Sequence, residues 1–147
     1  MDSDVRVFLD TSVLFAAVLS ETGGARLVLS LSEAQAVQVF VGPRVLREAD
    51  GVLERKAPQS KVRFALLLDR ARVTVASEPG ARALAQASAV TAYAPDARVL
   101  AEALTAGVHY FVTLDRQHFV DNPRTGKLPF AVGTPGDFLT WLRRRIV

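Results

Sequence analysis

Cysteine is absent from the 147-residue chain, so neither a disulfide framework nor a thiolate metal site can form, and a reducing compartment fits. Histidine is scarce: His109 and His118 are the only two. Lysine is scarce as well, since Lys56, Lys61 and Lys127 are the only lysines among 18 basic residues, which stand against 15 Asp and Glu. No apolar run reaches the ~18 residues that would mark a membrane span, and the opening Met-Asp-Ser-Asp lacks the basic and long apolar regions of a signal peptide. A soluble cytoplasmic protein with no membrane partner is therefore expected. Gly23-Gly24 is followed by no Lys-Ser/Thr and lacks Gly-rich spacing, which excludes a phosphate-cradling loop there. No repeat, linker or low-complexity tract interrupts the chain, and its length suits one domain, residues 1–147, around one core.

What the chain does contain is an alternation of short β-branched runs with longer helical patterns, the signature of strands joined by helical crossovers and hence of a parallel α/β sheet. Strands are expected at residues 5–9, 37–41, 72–76, 109–114 and 130–132. Helices are expected at 11–19, 25–36, 43–56, 60–70, 96–106 and 135–145. Pro43 occupies a first-turn position, Ser60 a cap position, and Gly107 a stop. Residues 81–89 are rich in small side chains and carry no clear order.

Four carboxylates fall at telling places on this frame. Asp10 follows Val-Phe-Leu at the carboxyl end of the first strand, the edge where open parallel sheets bind ligands. Asp115 repeats the pattern after Phe-Val-Thr-Leu on the fourth strand. Helix capping is the alternative for each, with Thr11 and Ser12 able to share that duty at the first. Asp96 opens a helix and shares a face with Val99, Leu100, Ala103 and Leu104, so it must be capped, paired or metal-bound. On the helix beginning at Pro43, Glu48 and Asp50 flank the apolar stripe on opposite sides, and periodicity does not choose between them.

Gathered together, these groups could not all stay ionised without a cation, because clustered like charges raise one another's pKa. A divalent-metal site follows. The rest of the chain is then markedly basic, and a basic surface around an acidic cleft suits a polyphosphate backbone. Ordinary solvated faces on an Arg-rich chain are the alternative.

The opening V-F-L-D-T-S-V-L, the P-R-V-L-R-E helix, the P-D-A-R-V-L-A-E-A-L helix running through A-G-V-H-Y to F-V-T-L-D, and the closing T-P-G-D-F-L together resemble a PIN domain. They are most similar to the bacterial and archaeal proteins grouped with VapC-type toxin ribonucleases, and they cover nearly the whole chain in order. The resemblance implies a three-layer α/β/α sandwich with a central parallel sheet of about five strands. It further implies an acidic pocket that binds Mg²⁺ or Mn²⁺ and cuts RNA, with Asp10, Glu48, Asp96 and Asp115 as the catalytic, metal-holding acids; Glu48 rather than Asp50 matches the family position. Thr11 or Ser12 matches a supporting hydroxyl, and Thr113 is placed to help in the same way. One departure is the approach to the third acid, Thr-Ala-Tyr-Ala-Pro at 91–95, which bears on substrate contacts.

Oxygen donors suit Mg²⁺ and Mn²⁺, which keep several waters and take phosphate oxygens as further ligands. In-line attack by water would leave a 5′-phosphate and a 3′-hydroxyl. Arg116 and His118, beside Asp115, are the substrate-contact candidates. His109, inside a strand, reads as a packing residue, Arg143 to Arg145 as a complement to a helix dipole, and Trp141 as core or interface. Apolar residues in excess of what a small sheet needs, among them Leu27, Leu29, Leu31, Phe64, Leu66 and Leu68, point to a homodimer, with an antitoxin protein as a possible second partner. The leading expectation is a toxin endoribonuclease. A non-toxin nuclease of RNA processing or structured DNA, and a non-catalytic nucleic-acid-binding module, are the alternatives.

Overall fold

Val7, Phe8 and Leu9 alternate from one side of a strand to the other, yet all three are completely buried, which requires a covering layer on each face of the sheet. They belong to β1 (Arg6–Leu9), the centre of the structure. The structure is a computed structural model that describes residues 4–146. Around β1 stand β2 (Gln38–Val41), β3 (Thr74–Val75), β4 (Tyr110–Val112) and β5 (Ala131–Gly133) in the order β3-β2-β1-β4-β5, every pair parallel. Seven α-helices connect the described strands and flank them: α1 (Thr11–Leu19), α2 (Gly24–Glu33), α3 (Pro43–Lys56), α4 (Lys61–Arg70), α5 (Ala81–Ser88), α6 (Ala94–Ala106) and α7 (Pro135–Ile146). The fold is the three-layer α/β/α sandwich expected.

The strand order places the site. The chain runs outward from β1 through β2 to β3, then returns to add β4 and β5 on the other side, so the direction of winding reverses between β1 and β4. At such a reversal the connections diverge and leave a crevice beyond the strand carboxyl ends. The β1–β4 register sets Leu9 opposite Val112, so the residues following both strands face that crevice together.

Several element bounds differ from expectation for local reasons. The second helix stops at Glu33 because Gln35 takes a left-handed backbone, and the third strand shrinks to two residues because Arg72 does the same. Ser60 does not cap α4 with its side chain; it ends a 3₁₀ turn, Pro58–Ser60, that leads into the helix. Residues 81–88 form a helix that packs along α6 with Ala87 buried, so small side chains there allow close helix contact. A π-helical turn, Arg116–Val120, follows Asp115. Gly107 ends α6 in the left-handed conformation, as its position suggested.

Aromatic packing makes the β1–β4 seam rigid. Phe8 stacks on Phe111 with ring centroids 5.5 Å apart, and Phe111 continues to Phe119 and Phe130. His109 is a structural residue, its Nδ1 accepting the Arg6 N–H at 3.0 Å. Trp141 packs on Tyr110 and Phe138, with the Arg145 guanidinium 4.6 Å from its ring. Among the described residues no single helix is long and apolar enough to cross a membrane.

Candidate active site

Asp10 follows β1, and its backbone N–H donates to the Val112 carbonyl across the seam. Its side chain does cap α1, Oδ1 accepting the Val13 N–H at 3.2 Å, but capping accounts for one bond of three. Ser12 Oγ donates to the same Oδ1 at 2.6 Å, and Thr113 Oγ1 donates to Oδ2. Both hydroxyls also receive backbone donors from the β4 side: Ser12 accepts the Leu114 N–H and Thr113 the Asp115 N–H, each at 3.0 Å. Two hydroxyl relays therefore stitch the ends of β1 and β4 together and fix Asp10 relative to Asp115. Thr11 turns the other way and donates to Glu48 Oε2 at 3.1 Å.

Among the described residues the Asp115 carboxylate is held by His118, whose backbone N–H meets Oδ1 at 3.0 Å and whose Nδ1 meets Oδ2 at 2.8 Å. The π-helical turn provides this geometry by bringing residue 118 back over residue 115. Glu48 comes from α3, where Arg44 one turn earlier donates Nε to Oε1 at 2.7 Å. Asp50 lies on the other flank, pairs with Lys61 at 3.4 Å and does not line the cavity that Glu48 faces. Asp96 stands in the first turn of α6, and its Oδ2 is buried without any hydrogen-bond partner.

All four carboxylates line one cavity of about 350 Å³, together with Thr11 and Ser12. Phe15, Val52, Val99 and Phe119 supply its apolar walls, and Lys56 is its only cation among the described residues. Lys56 went unrecognised in the sequence, although it stands eight positions after Glu48 and four after Val52, a spacing that keeps all three near one face of α3. Arg116, the residue after Asp115, lines a second groove of about 620 Å³ with Leu114, Gly23, Gly24 and Pro135.

Electrostatics mark the pocket as a place that lacks positive charge. Burial pushes the Asp10 carboxyl above its ordinary value of 3.8 even though Ser12, Thr113 and Val13 pull it down, and Asp115 adds to the rise. Burial likewise raises Asp96, with Asp115 and Glu48 adding to the effect and His118 opposing it. His118 is raised in turn by its hydrogen bond to Asp115.

The four acids share a wall without converging: among the described residues no three Asp, Glu or His side chains come close enough to enclose an ion by themselves. The donor set nevertheless fits a hard divalent cation. Every donor is oxygen, one oxygen of Asp96 has no partner, and the raised carboxyls would be relieved by a positive charge. An ion that keeps several waters does not need three carboxylates in direct contact.

The model of the PIN domain matches residues 6–117, a stretch that begins with β1 and contains all four acids. The chain belongs to the PIN-domain family. Solved structures agree on the fold. A chain of VapBC2 from Rickettsia felis, crystallised bound to a DNA fragment from their promoter, superposes with a TM-score of 0.64 at 14% identity, covering 88% of this chain and 98% of that one. PAE2754 from Pyrobaculum aerophilum gives a TM-score of 0.56 at 17% identity, covering 95% of this chain and 90% of that one. No curated protein matches this chain in sequence.

Proposed function

We propose that this protein is a Mg²⁺- or Mn²⁺-dependent endoribonuclease, a single nuclease domain over residues 1–147 that acts as the toxin of a toxin–antitoxin pair in the cytoplasm. The observation that carries the reading is the cavity at the β1–β4 reversal, whose wall holds four carboxylates and an unpartnered buried oxygen of Asp96. Asp10, Glu48, Asp96 and Asp115 would hold the ion. When bound, a divalent ion there supplies an acidified water and neutralises charge on the scissile phosphate.

The chain's own groups do the rest. Ser12 and Thr113 spend their hydroxyl protons on Asp10, so its carboxylate is oriented before substrate arrives. Thr11 and Arg44 orient Glu48. Lys56 offers an ammonium for a phosphate oxygen within the same cavity, while Arg116 carries positive charge past Asp115 into the groove that it lines and His118 stands on Asp115 as a further polar contact. Hydrolysis of this kind leaves a 5′-phosphate and a 3′-hydroxyl. Membership in the PIN family and the likeness in fold to a VapBC2 chain support the toxin assignment and an antitoxin partner.

Glu48 and Asp50 provide an internal control for this reading. Glu48→Gln should lower RNA cleavage by on the order of 100-fold, the scale for removing one group that stabilises a transition state, whereas Asp50→Asn should leave the rate near wild type because Asp50 faces Lys61. Initial rates on one RNA substrate check this, and inactivation by the Asp50 change would mean the wrong acid has been assigned.

Assembly follows from what the helices leave uncovered. Val28, Leu29 and Phe64 turn into the core, but Leu27 on α2 and Val62 and Leu66 on α4 remain 48%, 71% and 52% exposed. Exposed apolar side chains on two helices that touch support a homodimer through this face. Light scattering should return twice the chain mass of 15.9 kDa; the single-chain mass at high micromolar concentration would refute it. For the function itself, RNA ends sequenced after induced expression should gather at recurrent sites that depend on Asp115. Unchanged ends, or the same ends with Asp115→Asn, would overturn the ribonuclease reading.

A further inference from the structure

Glu102 has no solvent exposure, an unusual state for a carboxylate, and it does not line the acidic cavity. It sits on α6, six residues after Asp96. Its Oε2 accepts the backbone N–H of Arg44 at 2.8 Å, while Oε1 is buried without a partner. Arg44 is in the first turn of α3, a helix whose own start provides no cap: Gly42 has no side chain to offer and Pro43 has no N–H. Glu102 therefore does from another helix what an N-cap residue does locally, and its negative charge suits the positive end of α3.

Gly42 makes the contact possible. A Cβ at that position would stand 1.9 Å from Glu102 Oε1 and 2.8 Å from Glu102 Cβ, so only glycine leaves room for the carboxylate. The requirement comes from close approach, since Gly42 has an ordinary extended backbone. Burial pushes the Glu102 carboxyl up, while the Arg44 N–H and the charge of Arg98 pull it down. A costly buried acid has thus been placed against one backbone donor.

The geometry points to Glu102 as a positioning residue for the acidic pocket: by clamping the first turn of α3 through the Arg44 N–H, it fixes the Arg44 side chain that orients Glu48. One backbone amide joins the two halves of this path, because Arg44 receives the clamp at its N–H and passes it on through Nε to Glu48 Oε1. Helix α6 then governs two acids of the pocket, Asp96 directly and Glu48 through Glu102. The consequence for metal binding rests on the reading of the pocket given above, whereas the clamp itself does not.

The test uses the full chain and Mn²⁺ alone as probe. Glu102→Gln keeps a carbonyl oxygen for the Arg44 N–H and should bind Mn²⁺ about as wild type does. Glu102→Leu removes the acceptor and should weaken Mn²⁺ by about tenfold or more, the scale seen when a group orienting a metal ligand is lost. Gly42→Ala, which displaces the carboxylate from the other side, should reproduce that loss if Glu102→Leu folds poorly. In a Glu48→Gln background, Glu102→Leu should cost little further, since the two act in series. Amide hydrogen exchange should speed up from residue 44 to 48 in Glu102→Leu, with the β1 and β4 amides unchanged. Unaltered exchange at Arg44, unaltered Mn²⁺ affinity in a folded Glu102→Leu protein, or additive effects in the double variant would each overturn the assignment. Absence of Mn²⁺ binding in the wild type would instead count against the metal reading, leaving hydrogen exchange to decide on the clamp.

Discussion

Asp96→Asn should lower RNA cleavage by on the order of 100-fold and, in the same protein, raise the melting temperature measured in chelator. The two effects share one cause. Asp96 Oδ2 is buried with no partner, and burial together with Asp115 and Glu48 raises its carboxyl above 3.8, so the fold disfavours the ionised form that a metal needs. A folded-state pKa above the unfolded one means that the native state holds the proton more tightly, and stability falls as pH rises from 3.8 through the raised value. The stability gain of Asp96→Asn should therefore be fully present above that window and disappear below pH 3.8. Asp115→Asn should be as inactive without gaining stability, because both Asp115 oxygens already have a hydrogen-bond partner in His118 and the variant weakens that contact. Thermal melts of the metal-free proteins across pH, beside cleavage rates in Mg²⁺, check both. A metal-free Asp96→Asn protein less stable than wild type at neutral pH would show that Asp96 is a satisfied structural residue.

Removal of divalent ions should abolish cleavage altogether, and Mg²⁺ or Mn²⁺ should restore it. The pocket has one lysine and no arginine on its wall among the described residues, so nothing within it offsets four acids and a phosphodiester together. The two histidines provide no alternative route. His109 is tied into the backbone between β1 and β4, and His118 is committed to Asp115, which leaves no pair for metal-free acid–base cleavage. Because Asp10 and Asp96 both resist ionisation, protons compete with the ion, and the metal concentration for half-maximal rate should rise as pH falls. Restoration by Mn²⁺ with a flat pH dependence would argue that Asp10 and Asp96 are not ligands.

Three of the four acids that line the pocket stand out in the sequence because they sit where strand and helix periodicities break: Asp10 and Asp115 end apolar runs, and Asp96 opens a helix. A parallel sheet could be inferred, but the reversal that makes β1 and β4 neighbours is a three-dimensional fact. Glu48 and Asp50 were equivalent by angle and parted only by resemblance, then by what surrounds them in space. The hydroxyls near Asp10 were legible as a group, whereas their division of labour, Ser12 to Asp10 and Thr11 to Glu48, depends on helix rotation. Glu102 was missed for a different reason. A single acid within the apolar run from Val99 to Leu104 is itself a signal, yet its partner is a backbone amide 58 residues away, which no side-chain pattern records. The π turn at Arg116–Val120 was also invisible, and with it the way His118 returns to Asp115.

The central claim is that these four carboxylates make one metal-dependent ribonuclease site, and end-mapping of a defined RNA tests it most directly. Wild-type protein and Asp115→Asn, purified in parallel, are each incubated with 5′-labelled and 3′-labelled RNA in Mg²⁺ and in EDTA. Wild type in Mg²⁺ should give discrete cuts bearing 5′-phosphate and 3′-hydroxyl ends, and the other three conditions should give none. Cuts that persist in EDTA, or that Asp115→Asn makes equally well, would contradict it.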